Sequence, residues 1–249
     1  MQFFQLKAVK TLIKISLTIA IVGFCAASKT VTAQRLPLPN HLIAFDSPEG
    51  EKLLIDSKSR DDFFPLITQF VTQNNQAYCG VASSVMVLNS LRIPAPYAPQ
   101  YAPFQVFTQE NFFSNDKTKK VITAEVVSRQ GMTLDELGGL LASYDVKVQV
   151  FHAGDINLEK FRKLASENLK QPGNFVITNY LRKAIGQETG GHISPIAAYN
   201  EKTDRFLILD VSRYKYPPVW VKASDLWKAM NTVDSTSGKT RGFVFVSRN

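Results

Sequence analysis

Apolar residues recur at helical spacing through AYCGVASSVMVLNSL, where Val81, Val85, Leu88 and Leu91 form one stripe, and the run stops ahead of the proline-rich segment RIPAPYAPQYAP. This pattern predicts a helix with Cys79 at its N-terminal end. Two further amphipathic segments follow: TLDELGGLLASY (133–144), opened by Thr133 with Glu136 three positions on, and INLEKFRKLASENLK. Between them VKVQVFH alternates as a strand does. From NFVITNYL onward the pattern changes to short β-rich runs, GHISPIAAYN, RFLILDVS and GFVFVSR, divided by turn residues. Residues 34–65 hold Pro37, Pro39, Pro48 and Pro65 among charges and predict an irregular lead-in. Helices followed by a mainly antiparallel sheet make an α+β fold, with the Cys79 helix packed on the sheet in one domain over residues 34–249.

Residues 1–33 obey a different rule. Lys7, Lys10 and Lys14 precede the apolar run ISLTIAIVGFCAA, and the small-x-small triplet Val31-Thr32-Ala33 follows. That layout predicts a secretory signal peptide cleaved after Ala33, because the run is too short for the roughly 20 apolar residues a bilayer requires. Phe24 stands before Cys25 where lipoprotein processing needs a small residue, so no lipid anchor is expected. An exported, periplasmic setting would follow from the leader, with no stable membrane partner.

The leader also changes the charge. The whole chain carries +8, but residues 1–33 hold four Lys and no acid, so +4 remains for the rest. No basic block with interleaved aromatics is left to recognise nucleic acid; the mild excess suits small anions. Of two cysteines only Cys79 survives, and an exported chain with one thiol forms no internal disulfide.

A helix N-terminus favours a thiolate, so Cys79 is placed as a nucleophile, although a lone cysteine is also a common buried core residue. Three histidines could serve it. His41 lies in the lead-in and His152 closes a strand before Ala-Gly-Asp, so both read as surface or turn residues; His192 opens a strand after Gly190 and Gly191. If the strands around 193–199 and 205–211 turn through NEKTD, residue 199 faces 205 and 194 faces 210. His192 and Asp210 then become neighbours, and the carboxylate can orient the imidazole. An oxyanion donor could come from Gln73 or Gln76, which the residues alone do not separate.

TQNNQAYCGVASSVMVLNSL and GHISPIAAYNEKTDRFLILDVSRYKYPPVWV together resemble the catalytic domain of phytochelatin synthases, over roughly residues 36–247. The motifs carrying the resemblance, Gln-x5-Cys-Gly-x-Ala-Ser, Gly-His-x-Ser-Pro-Ile, Leu-Asp-Val-x-Arg and Lys-Tyr-Pro-Pro-x-Trp-Val, occur in the family's order. The resemblance implies a papain-like cysteine transpeptidase using glutathione, with Cys79 as nucleophile, His192 as base, Asp210 as orienting acid and Gln73 as oxyanion donor. It further implies that Asp234 and Arg241 hold the amino and carboxylate groups of the γ-glutamyl unit, and that Arg213 lies near the site. Unlike plant members, this sequence shows no cysteine-rich C-terminal extension and carries an export leader. Hydrolysis of glutathione is therefore expected to outrun metal-tuned phytochelatin synthesis.

No Cys/His cluster is present to ligate a structural ion, so no cofactor and no resident metal are expected; cadmium or zinc would enter as thiolate complexes of the substrate. The partner expected is a small molecule, glutathione, with room for a homodimer. Two other readings remain at this stage: an exported cell-wall peptidase using the same triad on γ-glutamyl peptides, and a non-catalytic protein binding thiols or soft metals through Cys79.

Overall fold

Seven strands form one sheet in which every neighbouring pair is antiparallel, in the order β1-β6-β5-β4-β3-β7-β2. The strands are β1 (Ile43–Ala44), β2 (Val146–His152), β3 (Asn174–Leu181), β4 (Gly191–Asn200), β5 (Arg205–Ile208), β6 (Val219–Lys222) and β7 (Gly242–Arg248). The structure, a computed structural model, describes residues 35–249, so the leader expected over residues 1–33 lies outside the described residues. Around the sheet lie α1 (Pro48–Asp56), α2 (Phe63–Thr68), α3 (Cys79–Ser90), α4 (Asp116–Lys119), α5 (Ala124–Gln130), α6 (Leu134–Ala142), α7 (Leu158–Asn168) and α8 (Ala223–Met230). Among the described residues no helix is long and apolar enough to cross a membrane.

The sheet separates two cores. On one face α3 and α6 pack Val81, Val85, Leu88, Leu137 and Leu141 against Phe175, Ile177, Ile193 and Ala197. On the other, Phe161 and Ala165 of α7 and Leu226 and Met230 of α8 meet Val176, Tyr180 and Ile196. Alternation along β3 and β4 sends successive side chains to opposite cores, which is why both strands are buried almost throughout. Helix α3 is buried from Cys79 to Leu88 rather than along one stripe. Its hydroxyls are accommodated because Ser83 and Ser84 donate to Cys79 O and Gly80 O, each at 2.8 Å. Each fully buried apolar side chain there contributes about 1.5–3 kcal/mol.

The expectation of an irregular lead-in over residues 34–65 is corrected. Ser47 caps α1 by accepting from Gly50 N, with Pro48 at the first helical position and Glu49 and Glu51 in the first turn. Proline there reads as helix initiation rather than as a break. Trp220 of β6 donates its indole N–H to Gly50 O at 3.0 Å, which ties α1 to the sheet. At α6 the capping box expected from Thr133 and Glu136 is complete.

One buried group in this region has no counterpart. Asp62, ahead of α2, is fully buried and neither carboxylate oxygen meets a hydrogen-bond donor among the described residues. Burial, with Asp61 nearby, pushes its carboxyl up to about 9.

Candidate active site

The β4–β5 hairpin positions the imidazole. Near its turn the register pairs Tyr199 with Phe206, one step from the expected 199–205 pairing, and a bulge between Ile196 and Ala198 returns it so that Ile196 faces Ile208. Past the bulge Leu209 N donates to Pro195 O, and His192 and Asp210 come together as the sequence spacing implied. His192 Nε2 lies 2.9 Å from Asp210 Oδ1 and 3.0 Å from Ser194 Oγ. The carboxylate can only accept, so Nε2 carries the proton, which leaves Nδ1 for the thiol.

Cys79 begins α3, and its N-cap residue Tyr78 offers no side-chain acceptor to the helix N–H groups. The thiol is 8% exposed. Burial opposes its ionisation, but the hydrogen bond and charge of His192, the backbone of Ile193 and the Arg182 guanidinium outweigh this and hold it below the ordinary thiol value. For His192 burial favours the neutral ring and Asp210 favours the cation; Asp210 prevails and the imidazole is raised. A depressed thiol beside a raised imidazole shifts the pair toward thiolate and imidazolium.

Asp210 is anchored more heavily than one histidine would require. Arg182 Nη1 and Nη2 grip its two oxygens at 2.8 and 2.9 Å, and Ser212 N donates to Oδ1 at 2.8 Å. Burial alone would raise this carboxyl, but His192 and Arg182 hold it far below the usual carboxylate range. Arg182, which the sequence reading did not select, follows the end of β3, where its N–H bonds Gly190 O at 3.0 Å beside the glycines that precede His192. The only sequence signal for it is a cation directly after a buried strand.

Cys79 and His192 open on a cleft of about 450 Å³ whose lining includes Gln76, Asn179, Asp234 and Arg241. Asp234 and Arg241 are thus brought together in it, with Arg241 Nη2 3.6 Å from Asp234 Oδ2. Arg241 Nη1 is spent on Val233 O, while its buried Nε has no partner among the described residues. Asn179 on β3 is 2% exposed and lines the same cleft. It too escaped the sequence reading, because a polar residue inside a buried strand carries no motif.

Gln73 and Arg213 are placed differently. Gln73 is buried beside the triad: Ser212 Oγ donates to its Oε1 at 2.7 Å, and its amide nitrogen donates to Asn75 O at 2.7 Å and faces the Tyr214 hydroxyl at 3.2 Å. It does not line the Cys79 cleft, whereas Gln76 does. Arg213, expected near the site, is exposed and lies 4.8 Å above the Phe70 ring, outside the cleft lining. The turn after Asp210 directs it outward, and Arg182 supplies the buried guanidinium instead. Among the described residues no group of three or more His, Cys, Asp or Glu side chains is arranged to hold a metal ion.

Residues 33–243 match the family model described as Phytochelatin synthase. Glutathione gamma-glutamylcysteinyltransferase 1 of Lotus japonicus is 35% identical over 86% of this chain and 42% of its own length. The Schizosaccharomyces pombe glutathione gamma-glutamylcysteinyltransferase is 29% identical over 84% of this chain and 50% of its own. The chain therefore spans about half the length of the curated relatives it matches. Among solved structures, the Prevotella intermedia interpain A cysteine protease aligns over 77% of this chain and 96% of its own, at 9% identity and a TM-score of 0.38, too distant to bear on the fold.

Proposed function

Because the chain belongs to the phytochelatin synthase family, we propose that it is a papain-like cysteine acyltransferase that cleaves the Cys-Gly bond of glutathione. One observation carries this reading: a buried Cys79–His192–Asp210 line opens on a cleft lined by an acid and an arginine, Asp234 and Arg241. Those two groups suit the ammonium and carboxylate of a γ-glutamyl end.

The Cys79 thiolate attacks the carbonyl carbon of the substrate cysteine, and the resulting oxyanion accepts from the Cys79 N–H; for Gln73 to be the second donor, its amide must leave the Tyr214 hydroxyl and reach a cleft that it does not line in this structure. His192 then passes its proton to the departing glycine nitrogen as the C–N bond breaks, leaving a γ-glutamylcysteinyl thioester on Cys79. Water attacking that thioester releases γ-glutamylcysteine; the amine of a second glutathione releases a phytochelatin. Hydrolysis is the favoured branch. Cysteine, histidine and aspartate suffice for each step, so cadmium or zinc acts through thiolate complexes of the substrate. The pattern of residues 1–33 supports work outside the cytoplasm.

The test is mass spectrometry of the protein after brief exposure to glutathione, with free glycine measured alongside. A γ-glutamylcysteinyl adduct on Cys79, absent from Cys79→Ala, supports the reading. No adduct and no glycine, with or without cadmium, removes glutathione as the substrate and transfers attention to cell-wall γ-glutamyl peptides.

A further inference from the structure

The cleft beside Cys79 is polar along most of its wall, where amides, hydroxyls and charged groups line it. Besides Cys79 itself, the apolar side chains of its lining are Ala77, Met132 and Ile193, and Ile193 is 2% exposed with its bulk in the α3 core. Met132 is half-buried and larger than Ala77. Two helix ends fix the backbone around it. Gly131 closes α5 at φ +76°, its N–H donating to Val127 O at 2.9 Å, and Thr133 opens α6 through its capping box. Met132 is the one residue between those caps, so local signals set its place, and its side chain packs on the core beneath. That side chain lies against the helix turn that presents the nucleophile. A methyl added to Gly80, the residue after Cys79, would fall 2.5 Å from Met132 Sδ and 2.9 Å from Cε. Gly80 leaves a gap that the thioether fills.

The chemistry of acyl transfer determines what reaches this wall. In a peptide γ-Glu-X-Gly the attacked carbonyl belongs to X, so the side chain of X branches one bond from the reacting carbon and comes close to Cys79. The γ-glutamyl arm of X leads to Asp234 and Arg241, and the leaving glycine lies by His192, which protonates it. The side chain of X is left the wall where Met132 meets α3. We propose that Met132 is a specificity-determining residue that receives this side chain, and that the site selects γ-glutamyl peptides whose second residue is short and unbranched, apolar or sulfur-bearing. A CH₂–SH or ethyl group packs against the thioether, which is soft and adapts to irregular gaps. A branched or aromatic group needs the volume that Met132 already occupies. Selection is therefore by size, and the substrate thiol takes no part in it beyond its bulk.

This inference rests on the γ-glutamyl reading of the cleft, and its test separates the two. Glycine release from γ-Glu-X-Gly is measured with X as cysteine, 2-aminobutyrate or leucine, for wild type, Met132→Ala and Met132→Phe. Ratios of kcat/KM are taken within one protein, so its folded fraction cancels. Wild type should cleave the cysteine and 2-aminobutyrate peptides within about threefold of each other and the leucine peptide about tenfold less well. Met132→Ala should raise leucine relative to 2-aminobutyrate by about tenfold, and Met132→Phe, which narrows the recess, should lower it further, so the result does not hang on one variant. The 4-nitrophenyl esters of N-acetyl-2-aminobutyrate and N-acetyl-leucine give a second readout that needs neither Asp234 nor Arg241. The thiolate displaces 4-nitrophenolate and becomes the acyl thioester, and the released phenolate reports the acylation rate. A leucine preference that is the same in all three proteins, read from whichever substrates react, overturns the inference. Esters that follow Met132 while no peptide, glutathione included, is cleaved would defeat the γ-glutamyl reading and leave the assignment of Met132 standing.

Discussion

Replacing Asp62 by asparagine should stabilise the protein increasingly as the pH rises. The carboxyl titrates near 3.8 in the unfolded chain and near 9 in the fold, because burial without a donor disfavours its charged form. Between those values the unfolded chain releases a proton that the fold retains, so the Asp62 contribution to stability falls by about 1.4 kcal/mol per pH unit. From pH 5 to 8 the loss is about 4 kcal/mol at most, a large part of the roughly 5–15 kcal/mol that holds a domain together. For a chain of this size that is a melting temperature lower by roughly 8–16 °C. The amide side chain has nearly the same shape as the carboxyl and cannot ionise. Thermal melts of wild type and Asp62→Asn at pH 5, 6, 7 and 8 isolate the effect, since every other titrating group cancels in the difference. The variant should gain steadily on wild type toward pH 8. A difference that is the same at pH 5 and pH 8 would refute the reasoning and mean that the carboxyl is ionised in the fold.

Three other outcomes follow from the geometry. Alkylation of Cys79 by iodoacetamide should retain its rate below the ordinary thiol value of about 8.5 and lose that advantage in His192→Ala; a wild-type inflection at or above that value would contradict the ion pair. Ser212→Ala removes the hydroxyl that orients Gln73 and should lower the acylation kcat about tenfold with KM nearly unchanged, so an unaltered kcat would exclude Gln73 from oxyanion stabilisation. Gly242→Ala would place a methyl 1.9 Å from Phe151 O, a backbone atom that cannot swing aside. Separating β2 from β7 in this way should destabilise the fold by about 1–3 kcal/mol or more, and an unchanged melting temperature would show that the two strands can spread.

The sequence announced elements whose signals are local. Thr133 with Glu136, the alternation of VKVQVFH, the β-rich run NFVITNYL and the helix from Cys79 all stand where their patterns place them, because caps, periodicity and β-rich composition act over a few residues. The lead-in was misread since four prolines were weighed as breakers, while Ser47-Pro48-Glu49 is also how a helix starts. The His192–Asp210 contact was legible from loop length alone, yet the turn itself is one step out of register and the bulge at Ala197 restores it. Arg182 and Asn179 were invisible for a different reason: each gains its meaning from a strand neighbour distant in sequence, and a single buried polar residue leaves no period to count.

The place of β7 has a consequence for when the protein can first act. Residues 242–248 lie between strands built from residues 146–152 and 174–181, so the sheet is split until they insert. Arg241 directly precedes them. A chain emerging from the ribosome can assemble Cys79, His192 and Asp210 from earlier residues, but until β7 arrives it lacks both the strand that joins β2 to the rest of the sheet and the arginine that lines the cleft. Closure of non-local pairs is slow. Until β7 inserts, the sheet therefore stays open between β3 and β2.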